Sequence, residues 1–220
     1  MSAVTADNLR VRATVDAVWR PAEDRAMIDE MSDARPAALG CMRLSTERDR
    51  NDANSITVLH AAFDAGVTLL DTADAYCLDE SEHGHNERLI ARALSTWCGD
   101  RSRIGVATKG GITRPEGRWE NDGRAKHLIA ACEASRRALG VDRLGLYQLH
   151  APDPRVPLST SLRALARLKR DGLIGSIGLC NVTVGQIEEA RRITEIDSIQ
   201  VELISRRPDA SPRSTRFRSN

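Results

Sequence analysis

Four polar side chains stand at the same point of a recurring pattern in this sequence. Asp71 follows VTLL, Lys109 follows IGVAT, His150 follows LGLYQL and Asn181 follows IGSIGLC. Each preceding run is short and apolar, as expected of a strand buried on both faces of a parallel sheet. A fifth residue, Tyr76, lies just beyond Asp71 in the loop DTADAY. A free phenol, with a pKa of about 10, is a poor proton donor at neutral pH. A lysine ammonium within a few ångströms improves it by favouring the phenolate. Lys109 can supply that charge, Asp71 can neutralise and orient the lysine, and His150 is placed to hydrogen-bond a substrate oxygen or to pass protons to the phenol.

The elements that must position these residues follow from the pattern itself. Six apolar runs, at 38–42, 67–70, 104–108, 144–149, 174–180 and 198–204, alternate with amphipathic segments at 53–65, 85–97, 124–139, 159–170 and 183–193. Alternation of this kind builds a parallel sheet with helical crossovers. Gly66, Gly140 and Gly172 stand where helices need a left-handed residue to stop. In a parallel barrel the C-terminal ends of the strands converge on one rim, which is where active sites of that architecture sit. The expected fold is therefore α/β, an incomplete (β/α)8 TIM barrel with about six of its eight units.

Composition narrows the classes of partner. The 32 Lys and Arg against 31 Asp and Glu leave a net charge of +1, too little field to recruit nucleic acid or an anionic membrane. The 3% aromatic content offers few platforms for stacking bases. No apolar run reaches the roughly 18 to 20 residues of a membrane span, and the first residues lack a signal-peptide pattern. Five scattered cysteines without CxxC spacing read as reduced thiols, so the expectation is a cytoplasmic protein with a small-molecule partner.

Several tempting features have plainer readings. Cys77 beside Tyr76 lacks a base in pattern and reads as a bystander thiol. EHGHNE, with Glu82, His83, His85 and Glu87, lacks HExxH spacing, so no metal is expected, and Asn86 and Glu87 read as fixing the loop that carries Tyr76. GLIGSIGLC is not the GxGxxG that follows a strand and opens a helix. Tyr-x-x-x-Lys, the reductase motif of doubly wound folds, is absent around both tyrosines. Trp119 in GRWEND either lines the barrel mouth or packs on its own loop.

Taken together, GVTLLDTADAY, GHNERLIARAL, VATKGG, YQLHAPDP, IGLCNVT and SIQVEL resemble the aldo-keto reductases from the first barrel strand through the sixth, over roughly residues 37–204. The resemblance implies NADPH-dependent reduction of aldehyde or ketone carbonyls, with the catalytic tetrad on Asp71, Tyr76, Lys109 and His150. It also implies contacts to the nicotinamide carboxamide from Asn181 and Gln200. The family's seventh and eighth units, which hold much of the cofactor, find no counterpart after Ser205. A catalytically inactive remnant, or an NADP-sensing or interaction module, is therefore the alternative reading.

Residues 1–34 are polar and aperiodic and are expected to form a mobile extension, with Met31 as a candidate true start. Residues 35–205 are the expected partial barrel. The tail at 206–220, RRPDASPRSTRFRSN, has too little apolar surface to order itself. Six strands leave two open sheet edges, near 38–42 and 198–204, so self-association is expected.

Overall fold

The computed structural model of the protein describes residues 37–201. Strands β1 (Ala37–Gly40), β2 (Val67–Asp71), β3 (Gly105–Gly110), β6 (Leu144–Leu149), β7 (Ile174–Cys180) and β8 (Ser198–Gln200) form one sheet in that order. Every neighbouring pair within it is parallel. The crossovers are α2 (Asp52–Asp64), α3 (His85–Thr96), α4 (Ala125–Leu139), α5 (Leu158–Arg170) and α6 (Val184–Arg191). These are the helices expected from periodicity, displaced by at most two residues at either end. A one-turn helix α1 (Arg43–Thr46) and an antiparallel pair, β4 (Ile112–Thr113) with β5 (Glu120–Asn121), were not legible as periodic segments.

Local chemistry explains the boundaries. The Asn51 side chain accepts from the backbone N–H of Asn54 and caps α2, and Thr183 with Gln186 closes a reciprocal capping box on α6, both of which satisfy otherwise orphaned donors. At the far ends, Gly66, Gly140 and Gly172 have φ of +89°, +70° and +75°, the left-handed turn that glycine makes without strain. The run expected as a strand over 198–204 is a strand only at Ser198–Gln200; Val201 is already outside it, and 202–204 lie outside the described residues. The expected extension at 1–34 and tail at 206–220 lie outside them too.

Helices cover the outer face of the sheet in two apolar clusters. Leu59 and Phe63 of α2 and Leu89, Ile90 and Ala93 of α3 pack with Leu70. Leu128 of α4 and Leu162, Leu165 and Leu168 of α5 pack with Tyr147, Leu149, Ile177 and Leu179. The three α5 leucines are at most 1% exposed, and burying each contributes about 1.5–3 kcal/mol relative to leaving it in water.

The sheet is strongly curled. Strands β2 and β8 are separated by three others, which in a flat sheet would put them roughly 19 Å apart. Yet the Gln200 amide reaches Asp71 Oδ2 at 3.2 Å. The six strands thus form a partial barrel whose strand ends face one another across a mouth.

Candidate active site

Pleating decides which side chains enter the mouth. Along β3, Lys109 points into the barrel, while its neighbour Thr108 points outward and donates to Glu87 Oε1 of α3 at 2.5 Å. On β6, Tyr147 and Leu149 turn outward into the helix layer. His150 and Asn181 follow β6 and β7 directly, and Asp71 is the last residue of β2.

The Lys109 ammonium is the centre of the arrangement. It lies 2.7 Å from Asp71 Oδ1, 2.9 Å from the Thr72 carbonyl and 3.0 Å from the Tyr76 hydroxyl. Three acceptors match the three N–H donors of an ammonium, and the residue is 1% exposed. Burial penalises this charge, but the Asp71 carboxylate and the Tyr76 oxygen outweigh it and hold Lys109 above its ordinary value.

The expectation that the lysine would draw the Tyr76 pKa down is met only in part. Burial pushes the phenol up, and the charge and hydrogen bond of Lys109 pull it back without cancelling the rise. Tyr76 therefore stays protonated at neutral pH, with a cation in contact to stabilise the anion once the proton leaves. His150 stands edge-on to Tyr76, with ring centroids 5.5 Å apart. Burial first and the Lys109 charge second depress its pKa to about 3, so the imidazole is neutral, and its Nδ1 is buried without a partner among the described residues.

Asn181 takes a left-handed conformation, φ +56°, a position asparagine tolerates better than most residues. Its Nδ2 donates to the His150 carbonyl at 2.9 Å. Gln200 donates to Asp71 and accepts from Cys180 Sγ at 3.3 Å. The structure thus brings Asp71, Tyr76, Lys109, His150, Asn181 and Gln200 to one rim.

Sequence reasoning left one residue of the lining, Trp119, open and missed another, Arg114. Trp119, carried by the β4–β5 excursion, stands edge-on to Tyr76 at 6.4 Å between centroids and lies over the Arg114 guanidinium at 3.7 Å. It therefore does both things left open by the sequence. Arg114 is buried and donates to the Leu78 carbonyl, so it ties the excursion to the loop after Tyr76. No periodic signal marks a two-residue strand, and only the turn-rich GRWEND hinted at it. Cys41 and Cys180 also flank the Lys109–Asp71 pair, but burial pushes both thiols up to about 12, and Cys77 likewise, which leaves all three unreactive. Among the described residues no group of three or more His, Cys, Asp or Glu could hold a metal ion, and no helix is long and apolar enough to cross a membrane.

Known proteins share both sequence and shape with this chain. The sequence profile of the Aldo/keto reductase family matches residues 37–212. The glycerol dehydrogenase of Gluconobacter oxydans superposes with a TM-score of 0.67 at 30% identity, over 78% of this chain and 53% of that one. An aldo-keto reductase of Bacillus halodurans, solved in its holo form, gives 0.63 at 29%, over 76% of this chain and 52% of that one. The chain thus spans about half the length of these solved relatives. The profile match runs through every strand that carries a rim residue, and by that match the chain belongs to the aldo/keto reductase family.

Proposed function

We propose that this chain carries the proton-transfer half of an NADPH-dependent oxidoreductase site that reduces aldehyde or ketone carbonyls. The observation that carries the reading is the buried ammonium of Lys109 held between Asp71 and the Tyr76 hydroxyl. Tyr76 donates its proton to the carbonyl oxygen as charge develops there, and Lys109 stabilises the phenolate left behind. Asp71 keeps the lysine charged and oriented. His150, neutral, offers a hydrogen bond to the same oxygen without adding a second positive charge.

The residues at the rim suit the nicotinamide end of the cofactor. A carboxamide offers one acceptor and two donors, and Asn181 keeps its Oδ1 and one N–H uncommitted among the described hydrogen bonds. Gln200 would have to share its amide with Asp71 and Cys180. The cofactor supplies the hydride when bound; the chain's own residues orient its reactive ring and move the proton.

The test is loss of NADPH absorbance in the presence of a generic aldehyde, for the parent and for Tyr76→Phe. Turnover that depends on the hydroxyl supports the reading; equal turnover in both removes Tyr76 from it. The committed amide of Gln200 favours a second reading, a non-catalytic module of the same family. Absence of both saturable NADPH binding by fluorescence titration and turnover of any aldehyde would select it. We also propose that the chain self-associates, because β1 and β8 each pair on one side only among the described residues; sedimentation over a concentration series tests this.

A further inference from the structure

We propose that Asn86, which touches none of the rim residues named above, is a positioning residue for the Lys109–Tyr76 pair and acts through Thr72. The inference rests on the proton-transfer role of that pair. Asn86 is fully buried at the start of α3. Its Oδ1 accepts from the Thr72 hydroxyl at 2.6 Å. Its Nδ2 donates to the Cys41 carbonyl at 2.9 Å and to Ser45 Oγ at 2.7 Å. A carbonyl can only accept, so the amide has one orientation, and a flipped Asn86 would set two oxygens against each other.

The same logic fixes the protons further out. Both Asn86 amide protons are spent, so Ser45 Oγ is an acceptor there and points its own proton at His85 Nδ1, 2.9 Å away. Burial lowers the His85 pKa and keeps the ring neutral, so its remaining N–H is on Nε2, which faces Asp52 at 3.4 Å. The chain from α2 to Asn86 therefore has a single direction.

At the inner end this order reaches the lysine. The peptide after Asp71 is gripped three times: the Thr72 N–H donates to the Ala107 carbonyl at 2.9 Å, its hydroxyl donates to Asn86, and its carbonyl accepts from Lys109 at 2.9 Å. The Thr72 carbonyl is the third of the three acceptors that fix the ammonium. Asp71 alone would leave the ammonium free to rotate about one contact; the carbonyl and the carboxylate together aim the remaining N–H at Tyr76. Asn86 thus joins the ends of β1, β2 and α3 and sets the geometry at an oxygen it does not touch.

The test reads Tyr76 directly and needs no turnover. The chain has two tyrosines, so 3-fluorotyrosine labelling gives two 19F resonances, with Tyr76→Phe assigning them and fluorophenols titrating below tyrosine itself. Thr72→Val and Asn86→Ala are expected to raise the Tyr76 midpoint by roughly half a pH unit or more, because the stabilising charge is less well placed. Thr72→Ser, which keeps the hydroxyl, is expected to restore it. If Thr72→Val does not fold, Ser45→Ala, which removes the outer bond to Asn86, is read in the same direction. An unmoved Tyr76 midpoint in folded variants, whatever their stability, would make Asn86 a structural residue only and overturn the proposal. That outcome leaves the proton-donor reading standing, whereas an active Tyr76→Phe enzyme would sink the donor reading and leave this titration unchanged.

Discussion

Gln200, the last residue of β8, donates its side-chain amide to Asp71 Oδ2 at the end of β2, 129 residues earlier. The contact closes the mouth from the far side and places the β8 amide against the carboxylate that holds Lys109. Because Gln200 is exposed, its loss is expected to cost little. Gln200→Ala should lower the unfolding free energy by about 0.5–1 kcal/mol, the lower part of the range for one hydrogen bond, read by urea denaturation.

Removing the proton donor should separate chemistry from binding. Where the site turns over a carbonyl, Tyr76→Phe is expected to slow reduction on the order of 10²-fold or more, with NADPH affinity changed little. The comparison of single-turnover rates with fluorescence titration checks both halves.

Lys109→Met strips Asp71 of its buried partner and Tyr76 of its cation. Breaking a buried pair costs about 3–5 kcal/mol, and since the Asp71 side chain keeps 18% of its surface exposed, the lower end is expected. The Tyr76 midpoint should rise further above its ordinary value. A variant as stable as the parent, with an unmoved Tyr76, would mean that the ammonium contributes nothing at this site.

The His150 imidazole predicts a dependence on acid. Its folded pKa is about 3 against about 6.5 unfolded, so below pH 6.5 the unfolded chain binds a proton that the folded chain does not. Stability is therefore full above pH 6.5 and falls as pH drops toward 3. From pH 6.5 to 5 this one group should cost about 2 kcal/mol, at roughly 1.4 kcal/mol per unit. His150→Gln should flatten that part of the pH profile relative to the parent, in paired denaturation series at the two pH values.

Gly110, where β3 ends beside Lys109, admits no side chain. A Cβ there would lie 1.9 Å from the Tyr147 hydroxyl and 2.9 Å from its Cζ. Gly110→Ala is expected to destabilise by about 1–3 kcal/mol through overpacking. In a Tyr147→Phe background, where the closest atom is gone, the same change should cost less, and a double-mutant cycle measures the difference.

How far this was legible in the sequence follows from the range of each signal. The strand and helix pattern is local, and the rim residues could be read because each ends an apolar run of its own. The raised pKa of Tyr76 could not be read, since it depends on how deeply the folded site buries the phenol, which no local run of residues reports. Thr72 passed unnoticed for a related reason: it acts on Lys109 through its carbonyl, which every residue possesses, and its hydroxyl matters only once α3 has placed Asn86 beside it. The Arg114–Trp119 stack depends on β4 and β5, each too short to leave a period.

The order of strands across the sheet, β1, β2, β3, β6, β7, β8, is also their order along the chain. No strand has to be threaded between two that have already paired. As the polypeptide leaves the ribosome, each new unit can dock on the edge made by the one before it. Asp71 and Tyr76 are therefore synthesised before Lys109, but the Thr72 N–H that fixes the peptide between them finds its acceptor, the Ala107 carbonyl, on β3 itself, so the ammonium and its acceptors are put in place together. Gln200 lies on the last of the described strands, so its bond to Asp71 can form only when the strands between them have paired and curled the sheet.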